Sequence, residues 1–391
     1  MNGGDLYYAI NKVDDDILER SETTKRRHNW LKWAAMAACL SLVIGGGIFW
    51  KNSRQTGPGG LPMLHIQDSA WGGMGFEGVL CYDMDELDNG NPWREDMVFS
   101  TLPVFENLAY HPAGEPVGLK ESSILERLEI ACAALEMENT ELKYDRSGIK
   151  VISITAEADG MAVTVEANGE IDVNYENGLA LPEHLHFTRY DTSTSHQEAE
   201  EVMAYFVQQF SELISFEQPE IVLSGDYSMW NSYDQEGNYL TEPRFEWEYI
   251  LYEGAGDETE DLLNYKMQFV QFYPDDEGRL SIIRIHDALS CANKLGDYPI
   301  ITAAEARDCL LKGNYITSVP YEIGDETLIK KEELVYRSSV LEKTLMPYYR
   351  FYVELPEMRR ENGPTDFGAY YVPAVRPEYI SNLPLWDGSI N

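Results

Sequence analysis

The sequence predicts an α+β protein: one N-terminal transmembrane helix, then repeated units of a helix packed on an antiparallel sheet. Three observations predict it. An uncharged apolar run follows Lys32, three Ser/Thr-x-x-Glu boxes open amphipathic stretches, and alternating apolar runs broken by Asp-Gly and Asn-Gly pairs follow those stretches.

The chain of 391 residues is 44% hydrophobic and one quarter charged, which supports real cores and argues against general disorder. Its formal net charge of −37 is unevenly placed. Residues 1–54 carry 8 Lys/Arg against 6 Asp/Glu, which leaves 22 basic and 61 acidic residues beyond them, a net of −39. Such a surface repels phosphate backbones, so no nucleic-acid partner is expected. The charge reads first as a solvated acidic surface, with divalent cations or basic partners left open.

From Trp30 to Trp50 the chain reads WLKWAAMAACLSLVIGGGIFW. The 18 uncharged residues between Lys32 and Lys51 are close to the minimum for a helical span. Trp30 and Trp33 at one end, and Phe49 and Trp50 at the other, suit the two membrane interfaces. Lys25, Arg26, Arg27 and Lys32 on the N-terminal flank place that side in the cytoplasm by the positive-inside rule. The reading is a signal-anchor at 30–51 in the cell membrane, crossed once, with the C-terminal domain extracytoplasmic. The cytoplasmic stub, 1–29, spaces Leu6, Ile10, Val13 and Ile17 as a short amphipathic helix.

Residues 52–118 form a Gly/Pro linker and a Gly/aromatic-rich segment. Gly73, Gly75 and Gly78 satisfy GxGxxG, but no βαβ unit encloses them, so no dinucleotide is expected. Asp83, Asp85 and Asp88 fail the calcium-loop pattern because Leu87 stands where an oxygen ligand is needed.

Three helix-plus-sheet units follow, at 119–190, 191–298 and 299–391. Their capping boxes are Ser123-Ile-Leu-Glu126, Ser195-His-Gln-Glu198 and Thr302-Ala-Ala-Glu305. In the first unit, strands near 149–158, 161–167 and 170–175 turn at Asp159-Gly160 and Asn168-Gly169. The second has strands near 220–224, 227–233 and 245–252, then a hairpin turning at Asp275-Asp-Glu-Gly278. The third has strands near 333–337, 348–354 and 368–375. The aromatic rows Trp247, Tyr249, Tyr348, Tyr349 and Tyr352 suit a core or half-buried sheet face better than a sugar-binding surface.

Catalytic signatures are missing: there is no GxSxG, SxxK or HExxH, so no enzyme activity and no cofactor are expected. His184 and His186 alternate and share a face of a strand, and His196 starts the next helix, so these three are the candidate metal ligands. Cys81, Cys132, Cys291 and Cys309 form no CxxC pair, and spacing argues for no disulfide.

In the third unit, ITAAEARDCLLKGNYI, then EELVYR, then MPYYRFYVEL resembles the extracytoplasmic modules of PepSY type and of the YycH/YycI regulators of Gram-positive bacteria. The stub DLYYAINKVDDDILER with a basic stretch and one anchor resembles the layout of clostridial single-pass regulators. The resemblance implies a non-enzymatic protein whose acidic extracytoplasmic domain senses or binds a partner, such as a sensor kinase, and regulates a membrane signalling complex. Two alternatives stand beside it. One is an anti-sigma-like regulator whose stub holds a sigma factor, and the other is a cell-wall or glycan-binding protein or hydrolase.

Overall fold

The computed structural model describes residues 56–66, 75–82, 90–190, 193–233, 239–358 and 365–388, with only the backbone described at 81–82, 226, 228–233 and 239–243. These residues belong to one compact unit, Thr56–Asn391.

In chain order, β1 (Val79–Tyr82) and β2 (Thr101–Asn107) precede helix α1 (Glu121–Ala134). A meander follows: β3 (Glu141–Ser147), β4 (Lys150–Ala158), β5 (Met161–Glu166) and β6 (Ile171–Leu179). Its tight turns use the residues that tolerate positive φ, Asp159 and Gly160 at 48° and 78°, and Gly169 at 96°. Helix α2 (His196–Gln209) leads into the long hairpin β7 (Pro219–Tyr233) and β8 (Tyr239–Glu253). Helix α3 (Glu258–Met267) then precedes β9 (Gln268–Pro274), β10 (Leu280–Asp287) and β11 (Ala292–Pro299). The C-terminal part holds α4 (Ala303–Leu311), β12 (Ile316–Thr317), β13 (Ile329–Tyr336), β14 (Thr344–Leu345), β15 (Pro347–Glu354) and β16 (Thr365–Pro373).

These strands form three antiparallel sheets. The largest has eight strands in the order β3-β4-β5-β6-β10-β9-β8-β7. A five-stranded sheet runs β1-β16-β15-β13 with β12 on β16, and a three-stranded one runs β11-β2-β14. Along β8, strict alternation sends Tyr249 and Leu251 into one core, and Ile250 and Tyr252 into another. The first core lies under α1 and α2, where Ile124, Leu128, Val202 and Phe206 meet Val163, Val173 and Phe272. The second joins the other face of the eight-stranded sheet to the five-stranded one, through Val222, Tyr252, Val335, Tyr348 and Tyr371. The outer face of the five-stranded sheet packs against α3 and α4 through Leu334, Phe351, Tyr370, Leu262 and Leu310.

This architecture corrects the fold expected from the sequence. The molecule is built mainly of antiparallel sheets, not of repeated helix-on-sheet units. The first meander and the later hairpins are one sheet, because β6 pairs with β10 (Ile171 opposite Ile285, Val173 opposite Ile283) and α1 and α2 share its face. Local periodicity identifies each hairpin but not its partner, so the helices looked like boundaries. The transmembrane helix is corrected as well. No helix among the described residues is long and apolar enough to cross a membrane. The expected single-pass membrane location, with its signal-anchor, is therefore withdrawn. Residues 30–51, with Trp30, Trp33, Phe49 and Trp50, lie outside the described residues, as do the flanking Lys25, Arg26, Arg27 and Lys32 and the stub 1–29.

Two of the three capping boxes form in full. Ser195 and Thr302 accept the amides of Glu198 and Glu305, whose carboxylates reach back to the N-cap amides. The first does not form: α1 begins at Glu121 after Lys120, with no side-chain cap, so Ser123 sits inside the helix.

Candidate functional site

Alternation along the five-stranded sheet gives its inner face an unusual content. Leu334, Tyr349, Phe351 and Tyr370 point to the outer core, while Glu333, Tyr348, Arg350 and Tyr371 share the opposite face. Glu333 and Arg350 are direct cross-strand partners and are both buried. Arg350 bonds Glu333 through Nε at 2.5 Å and reaches Glu77 Oε2 through Nη1, also at 2.5 Å. The Tyr352 hydroxyl donates to Glu333 at 3.1 Å, and the Tyr371 hydroxyl donates to Glu77. Beside this network, the Arg337 guanidinium bonds Glu342 at 3.0 Å and stacks over the Phe76 ring at 3.6 Å.

Burial disfavours charge on Arg350, and the carboxylates of Glu333 and Glu77 more than restore it. Burial likewise pushes the Glu77 carboxyl up, yet Arg350, Lys266 and the Tyr371 hydroxyl outweigh it and hold the group at about 2. Burial raises Glu342 more than Arg337 lowers it. Desolvation is thus costly throughout; ion pairing outweighs it at Arg350 and Glu77 but not at Glu342.

The eight-stranded sheet supplies the facing wall. Glu166 ends β5, Asn168 and Glu170 form the following turn, and His286 lies near the end of β10. Glu170 meets Arg284 at 3.2 Å and His286 Nδ1 at 3.7 Å. Burial raises its carboxyl, but His286 and Arg284 bring it below the ordinary value. His286 Nε2 lies 3.0 Å from Ser338 Oγ, in the segment after β13, so one hydrogen bond ties the two walls together.

Between the walls lies a cleft of about 460 Å³ with several charged groups in its lining, which comprises Gly75, Glu77, Glu166, Asn168, Glu170, Lys266, His286, Val335 to Val340, Arg350 and Tyr371. Lys266, in the last turn of α3, makes no ion pair within 4.0 Å among the described residues, and its ammonium lies 4.8 Å from the centre of the Tyr265 ring. Burial and the Arg350 guanidinium lower its pKa, and Glu77, Glu248 and Glu333 only partly compensate. Glu166 is the mirror image: burial and the neighbouring carboxylates Glu170 and Asp172 raise it, and Asn168 and Arg284 offset only part.

Comparison with known proteins adds no family. No protein-family model matches the chain, and no curated protein matches it at a significant level. A solved porin-like protein from Bacteroides uniformis ATCC 8492 aligns over 71% of this chain and 98% of its own at 12% identity. Its TM-score is 0.09, which carries no argument.

The residues singled out from sequence fall elsewhere. His184 and His186 are exposed and lie in a turn and loop after β6, not on a strand. His196 opens α2 with its ring edge-on to Trp247 at 4.9 Å. No group of three His, Cys, Asp or Glu suited to a metal ion occurs among the described residues. Cys132, Cys291 and Cys309 are free thiols, each raised by burial, and the Cys81 side chain lies outside the described residues. The aromatic row of Trp247, Tyr249, Tyr348, Tyr349 and Tyr352 is buried. Sequence reasoning missed the cleft, although one signal was present: Arg350 interrupts the apolar strand run PYYRFYV at an inward position.

Proposed function

We propose that this chain is a non-enzymatic binding protein that holds a small charged ligand in the inter-sheet cleft and, through a protein partner, regulates a signalling complex. One observation carries the binding role: a water-accessible cleft whose charged lining is contributed by two different sheets and fixed by buried ion pairs. Such a lining is preorganised, so a ligand does not have to order it. A ligand there touches both walls, and its binding energy is coupled to their packing.

The partner is a sensor kinase or, in the alternative, a sigma factor, and that clause rests on the sequence resemblance alone. Thermal unfolding of the purified full-length chain with succinate, putrescine and alanine, representing an anion, a cation and a zwitterion, tests the binding role. A saturable rise in midpoint with any of them, lost in Lys266→Gln or Glu166→Gln, supports it. No rise with any of the three, nor with any other common free amino acid, overturns it. Co-purification tests the regulatory clause: recovery of a signalling kinase or a sigma factor supports it, and recovery of neither overturns it.

A further inference from the structure

The cleft contains two charged groups of opposite sign that the protein leaves without ion pairs. Lys266 and Glu166 both line it, and neither forms a salt bridge within 4.0 Å among the described residues, with each other or with any other group. Every other cation at this site is engaged. Arg350 is held by Glu333 and Glu77, Arg337 by Glu342, and Arg284 forks onto Asp172 at 2.8 and 3.1 Å. Each also feels charge of its own sign, Lys266 from Arg350 and Glu166 from Glu170 and Asp172, and the opposite charges nearby (Glu77, Glu248 and Glu333 for Lys266, Arg284 for Glu166) do not fully offset it. Neither has a direct ion-pair partner among the described residues, so each can take one from a ligand.

We infer that the cleft is built for a zwitterion, a free amino acid or short peptide whose carboxylate meets Lys266 and whose ammonium meets Glu166. This deepens the proposed binding role and rests on it. A simple anion satisfies Lys266 but faces Glu77, Glu166 and Glu170. A simple cation satisfies Glu166 but faces Lys266 and Arg350. Only a ligand with both ends answers both groups without adding net charge to the site. The volume of about 460 Å³ falls within the roughly 300–1,000 Å³ typical of small-molecule sites, so an amino acid or dipeptide fits with room for water.

Thermal shift of the full-length chain with each of the common free amino acids and with dialanine tests the class. Calorimetric titration of the best binder follows, beside its N-acetylated and its carboxamide forms. The expected result is that each blocked form binds at least roughly tenfold more weakly than the parent. Lys266→Gln should remove the discrimination against the carboxamide alone, and Glu166→Gln that against the N-acetyl form alone. Blocked forms that bind as tightly as the parent overturn the inference. So do variants that leave both discriminations intact. If succinate or putrescine binds and no zwitterion does, the zwitterion class fails while the binding role stands. If nothing binds, both fail.

Discussion

Arg350 on β15 and Glu333 on β13 stand directly opposite one another, 4% and 1% exposed, and join in a two-point ion pair under the floor of the cleft. Removing one member leaves the other only partly compensated, Arg350 by Glu77 and Glu333 by Lys331 at 3.2 Å and the Tyr352 hydroxyl. Glu333→Gln is expected to cost about 1.5–3 kcal/mol, read as a lowered midpoint in urea denaturation. Arg350→Met should cost a similar amount. The double variant should lose clearly less than the sum, because the two changes remove one shared interaction. Strict additivity would show that the pair is not coupled.

Glu77 gives the network a signature in acid. Its carboxyl, held at about 2 in the folded chain against an ordinary 4.5, binds protons more readily once unfolded. Its contribution is therefore complete above pH 4.5 and declines as pH falls toward 2. The 38% exposure of the side chain to cleft water screens the effect, so about 1–2 kcal/mol is the expected size. Glu77→Gln should flatten the stability profile in that window and nowhere else. An unchanged acid limb would show that Arg350 does not hold the carboxylate as described.

Much of the local structure is legible in the sequence, and the reason is physical. The turns at Asp159-Gly160, Asn168-Gly169 and Asp275 to Gly278 depend on residues adjacent in the chain, as do the caps at Ser195 and Thr302. The site depends on the opposite kind of information. Glu77 and Tyr371 bond across 294 positions, and His286 meets Ser338 across 52. No periodicity reports such pairs. Strand β3 also escaped detection because all its side chains are exposed and show no alternation. The merging of two meanders into one sheet was hidden likewise, since the β6 to β10 pairing joins strands about a hundred residues apart.

Gly169 closes the turn that carries Glu170 into the cleft. Its φ is +96°, and an added Cβ would lie 2.3 Å from Ser290 Oγ and 3.1 Å from the Asp287 carbonyl oxygen. The Ser290 hydroxyl cannot swing away freely, because it donates to that same carbonyl at 2.7 Å. Gly169→Ala is expected to cost about 1–3 kcal/mol in chemical denaturation. Adding Ser290→Ala should recover the part due to the hydroxyl and leave the backbone strain and the contact with the Asp287 carbonyl. No recovery would place the whole cost in φ and that carbonyl contact.

The two complete capping boxes stand on different sheets. Ser195 Oγ accepts the Glu198 amide at 3.2 Å, and Thr302 Oγ1 accepts the Glu305 amide at 3.2 Å. Ser195→Ala and Thr302→Ala should each cost about 1 kcal/mol. Because they share no partner, their sum should hold in the double variant to within about 0.5 kcal/mol. Ser123→Ala, inside α1 rather than at its cap, should cost far less, and an equal loss there would contradict the observed helix start.

Lys266 should show the reverse sign from an ordinary stabilising residue. Its ammonium is desolvated and lies near Arg350, and the surrounding carboxylates do not fully compensate, so its folded pKa is below 10.5. Between that lowered value and 10.5 the unfolded chain binds more protons than the folded one, and stability rises with pH there. Below the window the charge is carried at a cost in the folded state. Lys266→Met, which keeps the length and removes the charge, is therefore expected to stabilise the ligand-free chain at neutral pH by about 1 kcal/mol. The two proteins should converge as the pH climbs through the window. A ligand bearing a carboxylate should invert the order at neutral pH, since it stabilises only the chain that keeps the ammonium. A variant less stable than the parent without ligand would mean that Lys266 is already satisfied within the fold.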